Sequence, residues 1–109
     1  MLNERITKLI NGQINMEWYS AYFYLDIQNY YVDQELNGFG NWFNIQTQEE
    51  RDHAMLFIKY LQNNNEKIVL QNIKAPDMPF ADFRAPAVAA FEHEQKVTAS
   101  INNIYAAAY

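Results

Sequence analysis

Gln46-Thr47-Gln48-Glu49-Glu50-Arg51-Asp52-His53-Ala54-Met55-Leu56-Phe57 decides how the rest of the chain is read, because Glu50 and His53 stand three residues apart in it. On a helix that spacing puts both side chains on one face, where a carboxylate oxygen and an imidazole nitrogen can converge on a single metal ion. Helical turns counted from Glu50 bring Phe43, Gln46, Thr47, Ala54 and Phe57 beside it, a stripe of mostly apolar or small residues. The pair is therefore expected to point inward. An unpaired carboxylate loses several kcal/mol, roughly, on leaving water, so an inward Glu50 needs a cation or a strong hydrogen-bond partner. The same four-residue pattern also occurs as a solvated polar pair, so its weight depends on carboxylates supplied by other helices.

The 109 residues suit one domain with a modest core. Half of them are apolar and a sixth aromatic, with three glycines and three prolines, which points to a folded helical chain. A formal charge of −5 argues against nucleic acid or an anionic membrane as partner, since phosphate binding needs a basic patch, and suits cations. With no cysteine, disulfides, thiolate zinc sites, iron–sulfur clusters and thiol catalysis are excluded. Oxygen and imidazole ligands remain. The opening Met1-Leu2-Asn3-Glu4-Arg5-Ile6 has no signal-peptide pattern, and no apolar run reaches membrane-spanning length. The expectation is a soluble cytoplasmic protein.

From about Asn3 to Gln34 apolar residues recur at helical spacing, including Ile6, Leu9, Ile10, Ile14, Ala21, Tyr24, Ile27 and Tyr31. Glu17 shares a face with Ile10, Gln13, Ile14, Ser20, Ala21 and Tyr24. It either points inward or lies at the margin of the stripe with its head in water, and Tyr24 either bonds a ligand carboxylate or packs. Glu35 to Gly40 reads as a turn, so the next helix, Gly40 to Asn63, should return antiparallel. That pairing leaves Glu17 farther from the turn than Glu50, an offset that either a loop longer than the minimum or a helix start before Gly40 would absorb. After Asn63-Asn64-Asn65, residues 66–86 show no helical period, and Pro76, Pro79 and Pro86 break helix. A connection of this length, with Lys67 to Ile73 extended on the surface, predicts a crossover between parallel helices. A third helix follows Pro86, with Ala87, Ala90, Phe91, Glu94, Val97, Ile101, Ile104 and Ala108 in one stripe. His93 points about 100° away from Glu94 and is expected on the solvated surface. The closing Ala106-Ala107-Ala108-Tyr109 carries no helix stop signal and reads as a helix cut short.

Three helices thus carry Glu17, Glu50 with His53, and Glu94 in otherwise apolar faces. Helix-bundle di-metal carboxylate sites are assembled this way. With these motifs in view, the whole chain resembles the bacterial non-haem ferritins: Glu17 in the first helix, Gln-Glu-Glu-Arg-Asp-His-Ala-Met at 48–55, Phe-Glu-His-Glu at 91–94, the Trp42-Phe43 pair and the Ile68-Val69-Leu70-Gln71 crossover. The resemblance implies an all-α, ferritin-like up-down bundle with a long crossover. It also implies a ferroxidase that takes two Fe(II) ions at a di-iron site, oxidises them with O2 and passes iron to a mineral inside a homo-oligomeric cage. By that analogy Glu17 and His53 hold the first iron, Glu50 bridges, and Glu94 holds the second. Tyr24 orients a ligand carboxylate, and Glu49 contributes to a neighbouring third iron site. Hard oxygen donors with one imidazole suit iron and leave positions open for oxygen.

The family pattern also includes the rest of the third helix and a fourth, which supplies further ligands, so the expectation for residues 1–109 is a single ferritin-like domain incomplete at its C-terminal end. Two other readings stay open: a non-catalytic, truncated ferritin-like helical module, and another ferritin-like di-iron oxidase or peroxidase. Three helices with wet apolar faces are expected to self-associate, most simply as a two-fold dimer. Such a dimer would build one shared site from Glu17, Glu50 and His53 of both copies and leave Glu94 peripheral.

Overall fold

The structure, a computed structural model, describes residues 2–77 and 79–108; Met1, Met78 and Tyr109 of the stretches read above lie outside them. It consists of three α-helices, α1 (Glu4–Asp33), α2 (Asn37–Asn63) and α3 (Ala85–Ala108), aligned along a body 49 Å long. Helix α1 opens on Asn3, whose side chain accepts the Ile6 N–H at 2.9 Å and so satisfies one of the free amide groups of the first turn. Pro86 sits in the first turn of α3, where a missing N–H costs nothing, and the Asp82 carboxylate accepts the N–H groups of Arg84 and Ala85.

Both α1 and α2 end in the same way. Glu35 and Asn65 take left-handed backbone, with φ of 61° and 55°, and the next residue folds its N–H back onto the helix, Leu36 to Tyr31 at 2.8 Å and Glu66 to Leu61 at 2.9 Å. The α1 to α2 turn is therefore only residues 34–36, and α2 starts three residues earlier than the glycines suggested. Gly38 and Gly40 lie inside the first helical turns. Gly40 is there for contact: a Cβ on it would meet Cγ2 of Val32 at 2.9 Å, so its absence lets α2 close on α1. The early start reduces the expected offset: Glu17 lies 18 residues before Glu35 and Glu50 15 after it.

Helix α1 packs against both other helices, while the backbones of α2 and α3 do not approach each other among the described residues. Ser100 pairs with Gln13, Glu94 with Tyr24 and Phe83 with Tyr31, so α3 runs antiparallel to α1 and parallel to α2. Residues 66–84, where described, form the crossover between those parallel helices, without helix or strand. The buried Asn11 amide fastens it, donating to the Lys67 carbonyl at 3.1 Å and accepting the Val69 N–H at 2.9 Å as a neighbouring strand would.

Two apolar clusters flank a polar belt. Ile6, Ile10, Ile14 and Leu61 pack at one end, and Phe23, Tyr24, Ile27, Tyr31, Phe43, Ala89 and Ala90 at the other. Between them lie the buried polar residues Gln13, Glu17, Ser20 and Glu50.

Candidate metal centre

Glu17 comes from the middle of α1 and Glu50 and His53 from successive turns of α2, and the antiparallel pairing brings all three together. Glu17 is fully buried and Glu50 nearly so, at 0% and 3% exposure, which settles in favour of the inward reading for both. The imidazole is half exposed, and its Nδ1 lies 3.7 Å from Glu17 Oε2 and 3.5 Å from Glu50 Oε2. Those separations are too long for good hydrogen bonds and a few tenths of an ångström longer than the edges of a tetrahedron with metal–ligand bonds of about 2.1 Å, so small side-chain shifts would bring all three atoms onto one ion. Both Oε2 atoms are buried and have no hydrogen-bond partner. Two orphaned carboxylate oxygens facing one imidazole nitrogen fit a hard or borderline cation such as iron, which would satisfy all three donors at once.

Electrostatics point the same way. Burial first, then the carboxylates of Glu17 and Glu94, holds Glu50 well above the ordinary carboxylate range, so without a cation it keeps its proton near neutral pH. Glu94 lies beside this cluster, its Oε1 accepting the Tyr24 hydroxyl proton. Burial, the bond to Glu94 and the surrounding carboxylates raise the Tyr24 phenol far above its usual value, so it acts as a neutral donor. Of the two options left open for Tyr24, the hydrogen bond to a carboxylate is the one observed. Glu94 thereby lies near enough to Glu50 to help raise its pKa, while staying outside the three-residue cluster of Glu17, Glu50 and His53. Glu49 is exposed on α2, outside the cluster.

His93 corrects the surface expectation. It is partly buried, its ring edge-on to Tyr24 at 5.9 Å and to Phe23 at 5.3 Å. Ser20 donates its one hydroxyl proton to the Met16 carbonyl at 2.8 Å, so its oxygen accepts from Nε2 of His93 at 2.6 Å. Burial lowers the His93 pKa and keeps the ring neutral. The angular offset from Glu94 was right; α1 rather than water occupies that direction. Sequence reading also left Gln13 and Ser100 without a role. Gln13 stands one turn before Glu17 on the same face, and its Nε2 donates to Glu17 Oε1 at 2.9 Å. Nothing in the sequence singled out Ser100.

The centre opens into a furrow between α2 and α3, opposite α1. Two apolar cavities of about 610 and 630 Å³ continue it on either side, one bounded by Tyr24, Trp42, Phe91 and Glu94, the other by Glu17, His53, Leu56 and Ile104.

A buried, carboxylate-rich cluster with a single imidazole, spread over antiparallel helices, makes this a helical bundle with a candidate metal centre at its middle. The model of the ferritin-like domain matches residues 7–109, and the chain belongs to this family. A bacterial non-heme ferritin of Campylobacter jejuni is 36% identical over 104 residues, covering 95% of this chain and 62% of the relative. A probable bacterial non-heme ferritin-like protein of Haemophilus influenzae is 29% identical over the same share of the chain. Among solved structures, a humanized archaeal ferritin superposes with a TM-score of 0.92 at 38% identity, and an open-pore ferritin of Archaeoglobus fulgidus with 0.91 at 33%. This chain covers 95% of itself and 63% and 64% of those two structures, so it spans a little under two thirds of the relatives it matches.

Proposed function

We propose that the chain takes Fe(II) as substrate at Glu17, Glu50, His53 and Glu94 and oxidises it with O2, as the ferroxidase step of iron storage. The observation that carries the reading is the pair of buried, unpartnered oxygens, Oε2 of Glu17 and of Glu50, facing Nδ1 of His53. Glu17 and His53 would hold one ferrous ion, Glu94, oriented by Tyr24, a second, and Glu50 would serve both; the two ions together would give two electrons to one dioxygen, which takes two protons and leaves as hydrogen peroxide. Exposed Glu49 is assigned to an outer third position. Glu50 must release its proton as iron enters, so binding is coupled to proton release. The relatives are named ferritins, and a homo-oligomeric setting in the cytoplasm is part of the proposal.

Anaerobic ferrous titration followed by exposure to oxygen tests it. The parent chain is expected to bind iron tightly and oxidise it, and Glu50→Ala combined with His53→Ala to lose binding by at least about 100-fold. Equal binding by parent and variant would end the metal reading. Tight binding without oxidation would instead favour the non-catalytic helical module.

A further inference from the structure

We infer that Gln13 and Ser100 are positioning residues that hold Glu17 as a one-oxygen ligand, so that α3 governs the first metal position through a hydrogen-bonded chain crossing α1. The inference rests on the metal reading above and deepens it.

The chain runs from Ser100 Oγ on α3 to Gln13 Oε1 on α1, 2.5 Å, and from Gln13 Nε2 to Glu17 Oε1, 2.9 Å. Gln13 is 1% exposed and Glu17 fully buried, so water does not compete for these bonds. The direction of the chain follows from the donors present. A carboxylate oxygen only accepts, so the Gln13 amide must turn its NH2 end toward Glu17. Its carbonyl then faces α3 and needs a donor, which the Ser100 hydroxyl supplies. Turned the other way, the amide would set its carbonyl against the Glu17 carboxylate in a site too dry to screen the repulsion.

The consequence falls on the two oxygens of Glu17. Oε1 is occupied by Gln13, while Oε2 has no partner and lies 3.7 Å from His53 Nδ1. Only Oε2 is free for a cation. Holding one oxygen back prevents Glu17 from chelating through both, which keeps a coordination position open beside the imidazole. Groups that fix a ligand in this way change metal affinity by about 10–100-fold when removed.

Anaerobic Co(II) titration of the purified chain, followed by the d–d absorption of the bound ion, reads affinity and coordination number together without turnover. Gln13→Leu is expected to weaken Co(II) binding about 10–100-fold and to lower the molar absorptivity, as Glu17 brings both oxygens to the metal and the coordination number rises. Ser100→Ala should shift both readouts the same way by less, and the double variant should be no weaker than Gln13→Leu alone, since both substitutions break one chain. Binding within about twofold of the parent, an unchanged spectrum, or fully additive losses would overturn the proposal while leaving the metal reading intact. If Gln13→Leu fails to reach the parent's helical circular dichroism, Ser100→Ala, at a half-buried position, decides by the same two readouts. If parent binding is insensitive to Glu17→Ala, the metal reading fails and this one with it.

Discussion

At Glu50 the metal centre and the apo fold make opposite demands on one side chain. Its folded-state pKa lies above the unfolded value, chiefly through burial and then through Glu17 and Glu94, so the folded chain binds more protons than the unfolded one above the ordinary carboxylate range. The associated stability is fully present in acid and drains away as the pH climbs toward the raised pKa, at up to about 1.4 kcal/mol per pH unit. The metal-free melting temperature should therefore fall between about pH 5 and pH 8. Glu50→Gln, which needs no proton, should flatten this slope and melt several degrees above the parent at pH 8 while binding metal at least about 100-fold more weakly. Saturating metal should reverse the parent's slope, because the ligands must lose protons to bind. Thermal melts across pH, with and without Co(II), check all three; a parent slope that is flat without metal would contradict them. The convergence of Glu50 and His53 was legible because a three-residue spacing on an apolar face has a definite geometric meaning, and the inward place of Glu17 because it interrupts a long apolar stripe. His93, Gln13 and Ser100 were not, since their roles depend on which neighbouring helix covers which face, and no periodicity within one helix encodes that.

Helix existence was readable from the 3.6-residue spacing of Ile6, Ile10 and Ile14 in α1 and of Ala90, Val97 and Ile101 in α3; the α1 to α2 boundary was not. Gly38 and Gly40 carry the composition of a turn, yet Gly40 serves close contact with Val32, and the actual reversal is made by Glu35 in a conformation that glycine or asparagine adopts more readily. Left-handed backbone costs an ordinary residue about 1 kcal/mol, so Glu35→Gly should stabilise the chain by about 0.5–1 kcal/mol, seen as a higher urea midpoint with an unchanged denaturant slope. Asn11 works in the opposite sense. Asn11→Ala would leave the Lys67 carbonyl and the Val69 N–H without their side-chain partner, and should cost about 1–3 kcal/mol in the same measurement. A crossover held only by apolar contact would show no such loss.

The furrow between α2 and α3 exposes Phe39, Trp42, Leu56 and Phe91, each more than half accessible. An apolar face of that kind favours association, so the 109-residue chain by itself should run larger than a monomer in light scattering. On the proposed reading association and metal binding are separable, because the residues it uses need no second copy: Glu17, Glu50 and His53 already converge within one chain, and Tyr24 holds Glu94 beside them. A site shared across a two-fold axis would bind one iron per chain, would ignore Glu94, and would empty as dimers dissociate. A site within the chain would hold two. Iron capacity of the centre, counted as the tight phase apart from the outer Glu49 position, is accordingly expected at two per chain, to stay constant on dilution, and to fall to about one in Glu94→Ala, with the Glu17, Glu50 and His53 position retained. Phe91→Lys, on the furrow but no ligand, should reduce the scattering mass and leave the capacity at two. Light scattering and anaerobic iron titration on the same samples decide the matter: capacity that tracks the dimer fraction, or that is indifferent to Glu94→Ala, would assign the centre to the interface instead.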